Sequence, residues 1–599
     1  MSLAVSTRDA ARPGWFQRFA GRWGKLTPAL LFLLVLILYP VGKLLSLSFQ
    51  GPGGVFSLQA YERLFASSVY VQVMVVTLKI SFWTTLATVA ISYPVARAIA
   101  RLPGATRNRL MFWVQLSFWC SFLIRTFGWM VLLNRNGFIS QTLQYLQIVD
   151  GPIDLLYSAP SVIVGMTHAM VPLCILTMVP VMEGIDENLS KAGMTLGGRP
   201  GSVFWRIYFP LSLPGVTAGA LLVFITSLGF FIVPAFLGSR HETMITQLII
   251  EQVQEYLNWG FAGALSLLLL VAALVIFTIY DRLLGISTLT GSVDRSAKAG
   301  GGPGWVGLLG LKICAGLGHV SDMLFSVFNH VLGDRGTGKR RRSGRGLEWA
   351  VVLAILAFLI LPALIMVPVS FTAGSRINWP PEGFSLRWYE SLLASPVWLQ
   401  AATRSVIVAL GAAALAMLIG TPAAFAIARQ KLPGRTLILS LVLSPLIIPR
   451  MVIAVALFYF YAQIGLVGSY AGLIVGHAVL AIPYVVITVM AVLKSYDTRY
   501  DQAAWNLGAR PTQTLRFVTL PLIKGGLISA FLFALITSFD ELTIALFVTG
   551  GLTTTLPKQM WDDAINVATP ILAAASTLLL VFVAVITLLI HRLQTKEQK

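Results

Sequence analysis

Charge is the scarcest resource in this chain. Asp, Glu, Lys and Arg together make up 11% of 599 residues, where a soluble domain carries about a quarter. Cysteine is nearly absent: Cys120, Cys174 and Cys314 lie in or near apolar segments, with neither the spacing of a metal site nor that of a disulfide framework. Histidine is rare too. His168 and His477 stand on apolar stretches at positions that do not correspond, as expected of hydrogen-bonded core residues rather than metal ligands. These shortages exclude a soluble globular enzyme and a disulfide-stapled secreted fold. What abounds is apolar: 56% of residues are hydrophobic. They arrive in blocks of about 20 or more, the length that crosses a bilayer as a helix. The chain reads as an all-α polytopic membrane protein.

The spacing predicts twelve spans, near 27–48, 70–96, 110–133, 159–182, 212–237, 260–280, 349–370, 398–428, 437–460, 471–493, 525–549 and 570–590. The net charge of +20 could suggest nucleic acid, but its distribution argues for a membrane surface instead. With the N-terminus inside, the inner segments hold 33 of the 44 Lys and Arg residues. That is the positive-inside bias, and it places both termini in the cytoplasm of a multi-pass protein. The opening "MSLAVSTRDAARPGWFQRFAGRWGK" is basic and runs into a long apolar span. A cleavable signal has a shorter core and a small-residue cleavage site, so a retained first helix is expected.

The chain repeats itself. "FSLQAYERL" from Phe56 returns as "FSLRWYESL" from Phe384, and "AIARLPG" from Ala98 returns as "AIARQKLPG" from Ala426, both 328 positions on. "LGGRPGSVFWRIYFPL" from Leu196 returns as "LGARPTQTLRFVTLPL" from Leu507, 311 positions on. The difference implies extra residues in the first copy, which fit the outer loop from Asn134. Six spans per copy is an even number, so the copies are parallel repeats about an axis along the membrane normal. The expected organisation is a first half at 1–280, a basic linker at 281–348 and a second half at 349–599.

Within the linker, "WVGLLGLKICAGLGHVSDMLFSVFNHVL" is apolar, but Lys312, His319 and Asp322 interrupt it. A thirteenth span would invert the second copy, so an interfacial helix is expected. Gly333, Gly338 and Lys339 match a phosphate-loop spacing. Arg340 stands where a magnesium-holding Ser or Thr would be needed, so a basic linker is expected rather than an ATP site.

The repeated loop lies between spans four and five of each copy. Gly197 and Gly508 permit tight turns, and the prolines delimit short helices. Two such loops on one face suit a two-fold partner. The pattern resembles the coupling-loop signature of ATP-binding-cassette importer permeases: Glu-Ala-Ala, three residues, Gly, nine residues, Ile-x-Leu-Pro. The first copy matches at Ala192, Gly197, Arg199, Ile207 and Pro210, and the second at Ala503, Ala504, Gly508, Arg510, Val518 and Pro521. Lys191 and Gln502 replace the signature's Glu. Within that superfamily, "SFLIRTFGW", "DGPIDLLYSAPSVIVG" and "LGFFIVPAFLG" resemble one spermidine/putrescine-type permease subunit, and "NWPPEGFSLRWY" and "SFDELTIALFVTG" the other. The chain thus looks like both subunits fused.

The resemblance implies loops at about 186–211 and 497–522 docking two cytoplasmic ATPase subunits, and a periplasmic solute-binding protein delivering a polyamine-like solute. It also implies a bacterial inner-membrane location, no cofactor in this chain, and ATP and magnesium held by the partner. No nucleic-acid partner and no catalytic residue are expected.

Asp540 and Glu541 are the only ionisable residues between Lys524 and Lys558, near the middle of the eleventh expected span. An acidic residue at mid-bilayer costs about 2.5–3.5 kcal/mol on insertion scales, so neither is expected to face lipid. Two readings stay open: a cation-attracting point in a translocation pathway, or a structural contact. Gly229 and Phe230 hold the equivalent positions in the first copy. The rival for the whole chain is a major-facilitator-like secondary transporter. The loop "RLPGATRNR" lacks the signature that class carries between spans two and three.

Overall fold

The computed structural model describes residues 24, 26–284, 315–323, 337–430, 432–551 and 553–597. The basic N-terminal segment, Lys312, Cys314 and Gly333 lie outside these residues. The principal helices are α1 (Thr27–Leu47), α2 (Ser68–Ala100), α3 (Gly104–Trp119), α4 (Phe122–Leu133), α5 (Ala159–Glu183), α6 (Glu187–Thr195), α7 (Pro200–Leu228), α8 (Ile232–Leu237) and α9 (Trp259–Leu284). They continue with α10 (Glu348–Ser370), α11 (Pro396–Arg429), α12 (Arg435–Ile447), α13 (Arg450–Ile464), α14 (Tyr470–Ser495) and α15 (Arg499–Asn506). The last are α16 (Pro511–Leu522), α17 (Lys524–Phe539), α18 (Thr543–Val548) and α19 (Ile571–Ile590). Among the described residues the chain is helical, with only an isolated bridge between Gln50 and Phe56.

Nine of these helices are long and apolar enough to cross a bilayer, or twelve spans if each of three bent pairs counts as one. The bends are where the structure departs from the hydropathy pattern. The third expected span breaks by 91° between α3 and α4, and the ninth by 93° between α12 and α13. Chemistry at the breaks explains them. Ser121 has left the helical region and accepts a hydrogen bond from the Leu123 amide, while Pro449 is the N-cap of α13. Backbone freed at membrane depth is tolerated only where protein surrounds it. Ten of the twelve residues of α4 are buried, as is the run Met451–Leu457 on α13.

Helices pack closely through small residues, because lipid offers no hydrophobic drive for helix association. On α7, Gly215 faces Val181 and Gly219 faces Cys174 of α5, each near enough that an added Cβ would crowd them. A stripe of Thr77, Ser81, Thr84, Thr88 and Ser92 buries one face of α2, and the Ser92 hydroxyl donates to Val171 O at 3.3 Å.

The chain forms two compact units, and they cut across the sequence repeats. One contains residues 1–44, 401–556 and 589–599; the other contains 45–400 and 557–588. In the first unit α1 packs on α12, α13 and α14, with Tyr39 edge-on to Phe460 at 5.5 Å. In the second, α10 packs against α2 to α5. The opening span of each repeat therefore packs on elements of the other repeat.

Pro362 explains how α10 is fixed. It lacks the amide hydrogen that would bond the carbonyl one turn back, and its ring pushes the helix open. The neighbouring Leu359 carbonyl accepts from the Ser117 hydroxyl at 3.1 Å and from His168 Nε2 at 3.2 Å. His168 is thus a hydrogen-bonded core residue.

Candidate functional site

Both copies of the repeated loop fold alike, from the same residues. α6 is followed, after its C-cap Leu196, by Gly197, whose φ is +84°, and α15, after its C-cap Leu507, by Gly508, whose φ is +86°. Only glycine adopts that left-handed conformation without steric cost. The turn closes through Gly198 N to Gly193 O in one copy and Ala509 N to Ala504 O in the other, both 3.0 Å. Pro200 and Pro511 then start α7 and α16 at the first helical turn, where a missing amide hydrogen costs nothing. A π-helical segment follows in each, at Phe204–Tyr208 and Leu515–Thr519, immediately before the Phe-Pro or Leu-Pro pair that holds Pro210 and Pro521.

The loop tips are apolar and uncovered. Leu196 and Leu507 are each 89% exposed. Met194 and Leu189 flank the first, and Trp505 and Tyr500 the second, all more than two-fifths exposed. Ala192, Ala503, Arg199 and Arg510 stand on the same loops; Ala503 and Arg510 are exposed, as is Ala192. Ile207 and Val518 lie in the π-helical segments instead. Ile207 reaches back to Gly193, tying α7 to α6.

Each loop is anchored differently. In the second copy Asp501 is buried at the start of α15. It accepts from Arg429 at 2.8 Å, from the Tyr496 hydroxyl at 2.7 Å and from Thr519 at 2.9 Å. In the first copy the anchor comes from the linker. Residues 315–323 form a helix, and Asp322 accepts from the amides of Gly201 at 2.9 Å and Ser202 at 3.1 Å and from the Ser202 hydroxyl. Asp322 thereby caps the otherwise orphaned donors at the start of α7. Arg206 donates to His319 Nε2 at 2.8 Å. His319 and Asp322, two of the polar residues that interrupt the apolar linker stretch, thus fasten it to the first loop.

The acidic pair does not sit within a continuous span. α17 ends at Phe539, Asp540 is its C-cap, and α18 begins at Thr543. Asp540 is half-buried and Glu541 buried. Both oxygens of Glu541 accept from the first turn of α18: Thr543 N at 2.9 Å, Ile544 N at 2.8 Å and Ala545 N at 3.3 Å. His477 Nε2 lies 3.7 Å from Glu541 Oε2, and the Nδ1 edge of the same ring meets Ser538. Glu541 thus holds the first turn of α18 and lies against His477 of α14. Gly229 and Phe230 occupy the matching break between α7 and α8, where Phe230 O accepts from Thr246 at 2.7 Å.

Sequence reasoning passed over two arginines. Arg125, 2% exposed, donates to Ser121 O at 3.4 Å and Ala169 O at 3.3 Å and lies over the Phe122 ring. Arg450 opens α13 and donates to the Tyr484 hydroxyl at 3.4 Å. A lone arginine inside an apolar block was the available signal, because such a charge is costly unless protein surrounds it.

Membrane-length helices and two matched Gly–Pro loops are the features that the comparisons with known proteins interpret. The chain matches the model for the binding-protein-dependent transport system inner membrane component over residues 24–287 and 416–598, and it belongs to that family. It is an importer permease of the ATP-binding-cassette class, with two permease repeats in one polypeptide. It is 31% identical over 228 residues to the spermidine/putrescine transport system permease protein PotB of Escherichia coli K12, covering 38% of this chain and 82% of that protein. It is 31% identical over 257 residues to PotC of the same organism, covering 42% of this chain and 97% of that one. Among solved structures it is similar to a bacterial transporter involved in import of the acidic polysaccharide alginate. That match has 16% identity and a TM-score of 0.35, and covers 44% of this chain and 98% of that one. The family assignment leaves no place for the secondary-transporter alternative.

Proposed function

We propose that this chain forms the whole translocation pathway of an importer for a small polyamine-like cation, with two separate ATPase subunits docked on the loops at 186–211 and 497–522. One observation carries the docking: Leu196 and Leu507, at equivalent positions, are equally and almost fully exposed. Large apolar tips on matched loops ask for a matched apolar groove. By this reading ATP and magnesium sit in the ATPases, a periplasmic binding protein delivers solute, and both termini of the chain are cytoplasmic. Closure of the ATPase pair draws α6 and α15 together and turns the pathway outward.

Removing one buried leucine contact costs about 1.5–3 kcal/mol, or roughly ten- to a hundredfold in affinity. Leu196→Asp combined with Leu507→Asp is therefore expected to abolish co-purification of the ATPases while the chain still reaches the membrane. Retention of the ATPases by the double variant would sink the docking assignment.

The solute reading rests on the spermidine/putrescine permeases among the relatives and on half-buried Asp540 in the helix break. A charged contact contributes about 1.5–3 kcal/mol, so Asp540→Asn is expected to cut uptake of labelled putrescine or spermidine about tenfold or more at limiting solute. Normal uptake by the variant would remove Asp540 from the pathway. No polyamine uptake by the wild type, with another solute imported, would discard the polyamine class and keep the importer.

A further inference from the structure

The two loops differ at one place in a way that opens a cavity. In the second copy Arg429, at the end of α11, is held by buried Asp501, which also takes Tyr496 and Thr519. By the offsets of the repeat, Arg429 corresponds to Arg101, Asp501 to Ser190 and Thr519 to Tyr208. The arginine is kept and its carboxylate is gone. Among the described residues, the carboxylate paired with Arg101 is that of Glu187, at 4.0 Å and more than half exposed.

Where the carboxylate would stand, the first copy has a cavity of about 680 Å³ between the end of α2, the helix α6 and the start of α10. Arg101, Lys191, Tyr208, Glu187, Glu348 and Trp349 are among the residues that line it. Arg97 lies just behind, with its guanidinium 4.6 Å from the Phe204 ring and 5.2 Å from the Tyr208 ring, and its Nε buried without a hydrogen-bond partner. Arg101 faces the same Tyr208 ring at 5.1 Å. Among the described residues, Arg101 and Lys191 in the lining and Arg97 behind it thus set three cations against the two carboxylates Glu187 and Glu348, one positive charge in excess. In the second copy that single charge is answered by Asp501.

We propose that this cavity binds the phosphodiester of an anionic ligand, which takes beside Arg101 the place that Asp501 holds beside Arg429. A phosphodiester carries the one negative charge the site lacks. Guanidinium groups match its oxygens in paired geometry, and Lys191 adds a mobile point charge. Glu187 and Glu348 disfavour more highly charged anions. Ala98, Leu102, Met194, Trp349 and Val352 add apolar surface to the lining, so the site also accepts hydrocarbon. The phosphodiester can come from an anionic lipid headgroup or from a soluble metabolite. Occupancy would couple the end of α2 and the start of α10 to α6, the helix that carries the first loop. The importance of that coupling rests on the docking reading above, but binding itself does not, so each can fail alone.

The test uses the full purified chain in detergent, without ATPases, and native mass spectrometry with phosphatidylglycerol, phosphatidylcholine and the tail-free phosphodiester glycerophosphoglycerol. The wild type is expected to retain one phosphatidylglycerol in preference to phosphatidylcholine. Arg101→Gln removes a charged partner and is expected to weaken that binding about tenfold or more. Ser190→Asp installs the second copy's own solution and is expected to abolish binding while leaving thermal unfolding at or above the wild-type midpoint. Competition by glycerophosphoglycerol at similar concentration would assign the site to a soluble phosphodiester; failure to compete would assign it to lipid. Absence of any preference over phosphatidylcholine with no binding of the tail-free ligand, or binding untouched by both substitutions, would overturn the proposal.

Discussion

Glu541→Ala is expected to destabilise the fold by about 3 kcal/mol or more, since each buried donor left unsatisfied costs about 1–3 kcal/mol. Three amides at the start of α18 lose their acceptor at once, at a depth where no water can replace it. Glu541→Gln keeps one acceptor oxygen and should lose roughly half as much. The measurement is unfolding of the purified chain by denaturant titration, alongside uptake normalised to folded protein at the membrane. Alanine is expected to lower the unfolding midpoint and the amount of folded protein, with uptake per folded molecule nearly unchanged. The opposite pattern, a wild-type midpoint with uptake abolished, would make Glu541 a pathway residue and end its assignment as a cap. Asp540→Asn is the matched comparison, because that residue is half-buried at the end of α17, whereas Glu541 is buried against the first turn of α18. Two adjacent carboxylates that look alike in sequence should therefore separate into a stability phenotype and a transport phenotype.

The spans, the two repeats and the loops between α5 and α7 and between α14 and α16 were legible, because each has a local physical signal. Blocks of apolar residues give spans, a fixed offset gives repeats, and Gly197 and Gly508 occupy the left-handed positions a tight turn requires. The breaks after Trp119 and Ile447 were not legible from hydropathy, since two half-length helices are as apolar as one whole one. Only Ser121 and Pro449 mark them, and both residues also occur inside unbroken membrane helices. The pairing of α1 and α10 with the opposite repeats was hidden for a different reason. Hydropathy reports that a face meets lipid or protein, not which helix covers it. Asp322 and His319 registered only as residues too polar to span, and their fit to Gly201, Ser202 and Arg206 depends on a contact more than a hundred positions away.

That pairing yields the second large effect, at Gly128. A methyl built on its Cα would fall well inside the van der Waals radius of the Pro362 carbonyl oxygen on α10. The obstacle is backbone, in a helix fixed by Ser117 and His168 at the neighbouring Leu359 carbonyl. It cannot rotate aside as a side chain does. Gly193 is the contrast: its nearest neighbour is the terminal methyl of Ile207, which can turn away. Overpacking a rigid contact costs about 1–3 kcal/mol and more when backbone must move. Gly→Ala within a helix otherwise gains about 0.5–1 kcal/mol by limiting the unfolded chain. Gly128→Ala is therefore expected to lower stability by about 2 kcal/mol or more and to displace α10 from α4, while Gly193→Ala stays within about 1 kcal/mol of the wild type. Denaturant titration reads the stability. A disulfide trap between Ser117→Cys and Leu359→Cys, formed readily in the parent and poorly with Gly128→Ala, reads the displacement. Equal stability and equal cross-linking in both backgrounds would mean that α10 does not rest on α4 at Gly128, and the packing of α10 on the first repeat would lose that contact.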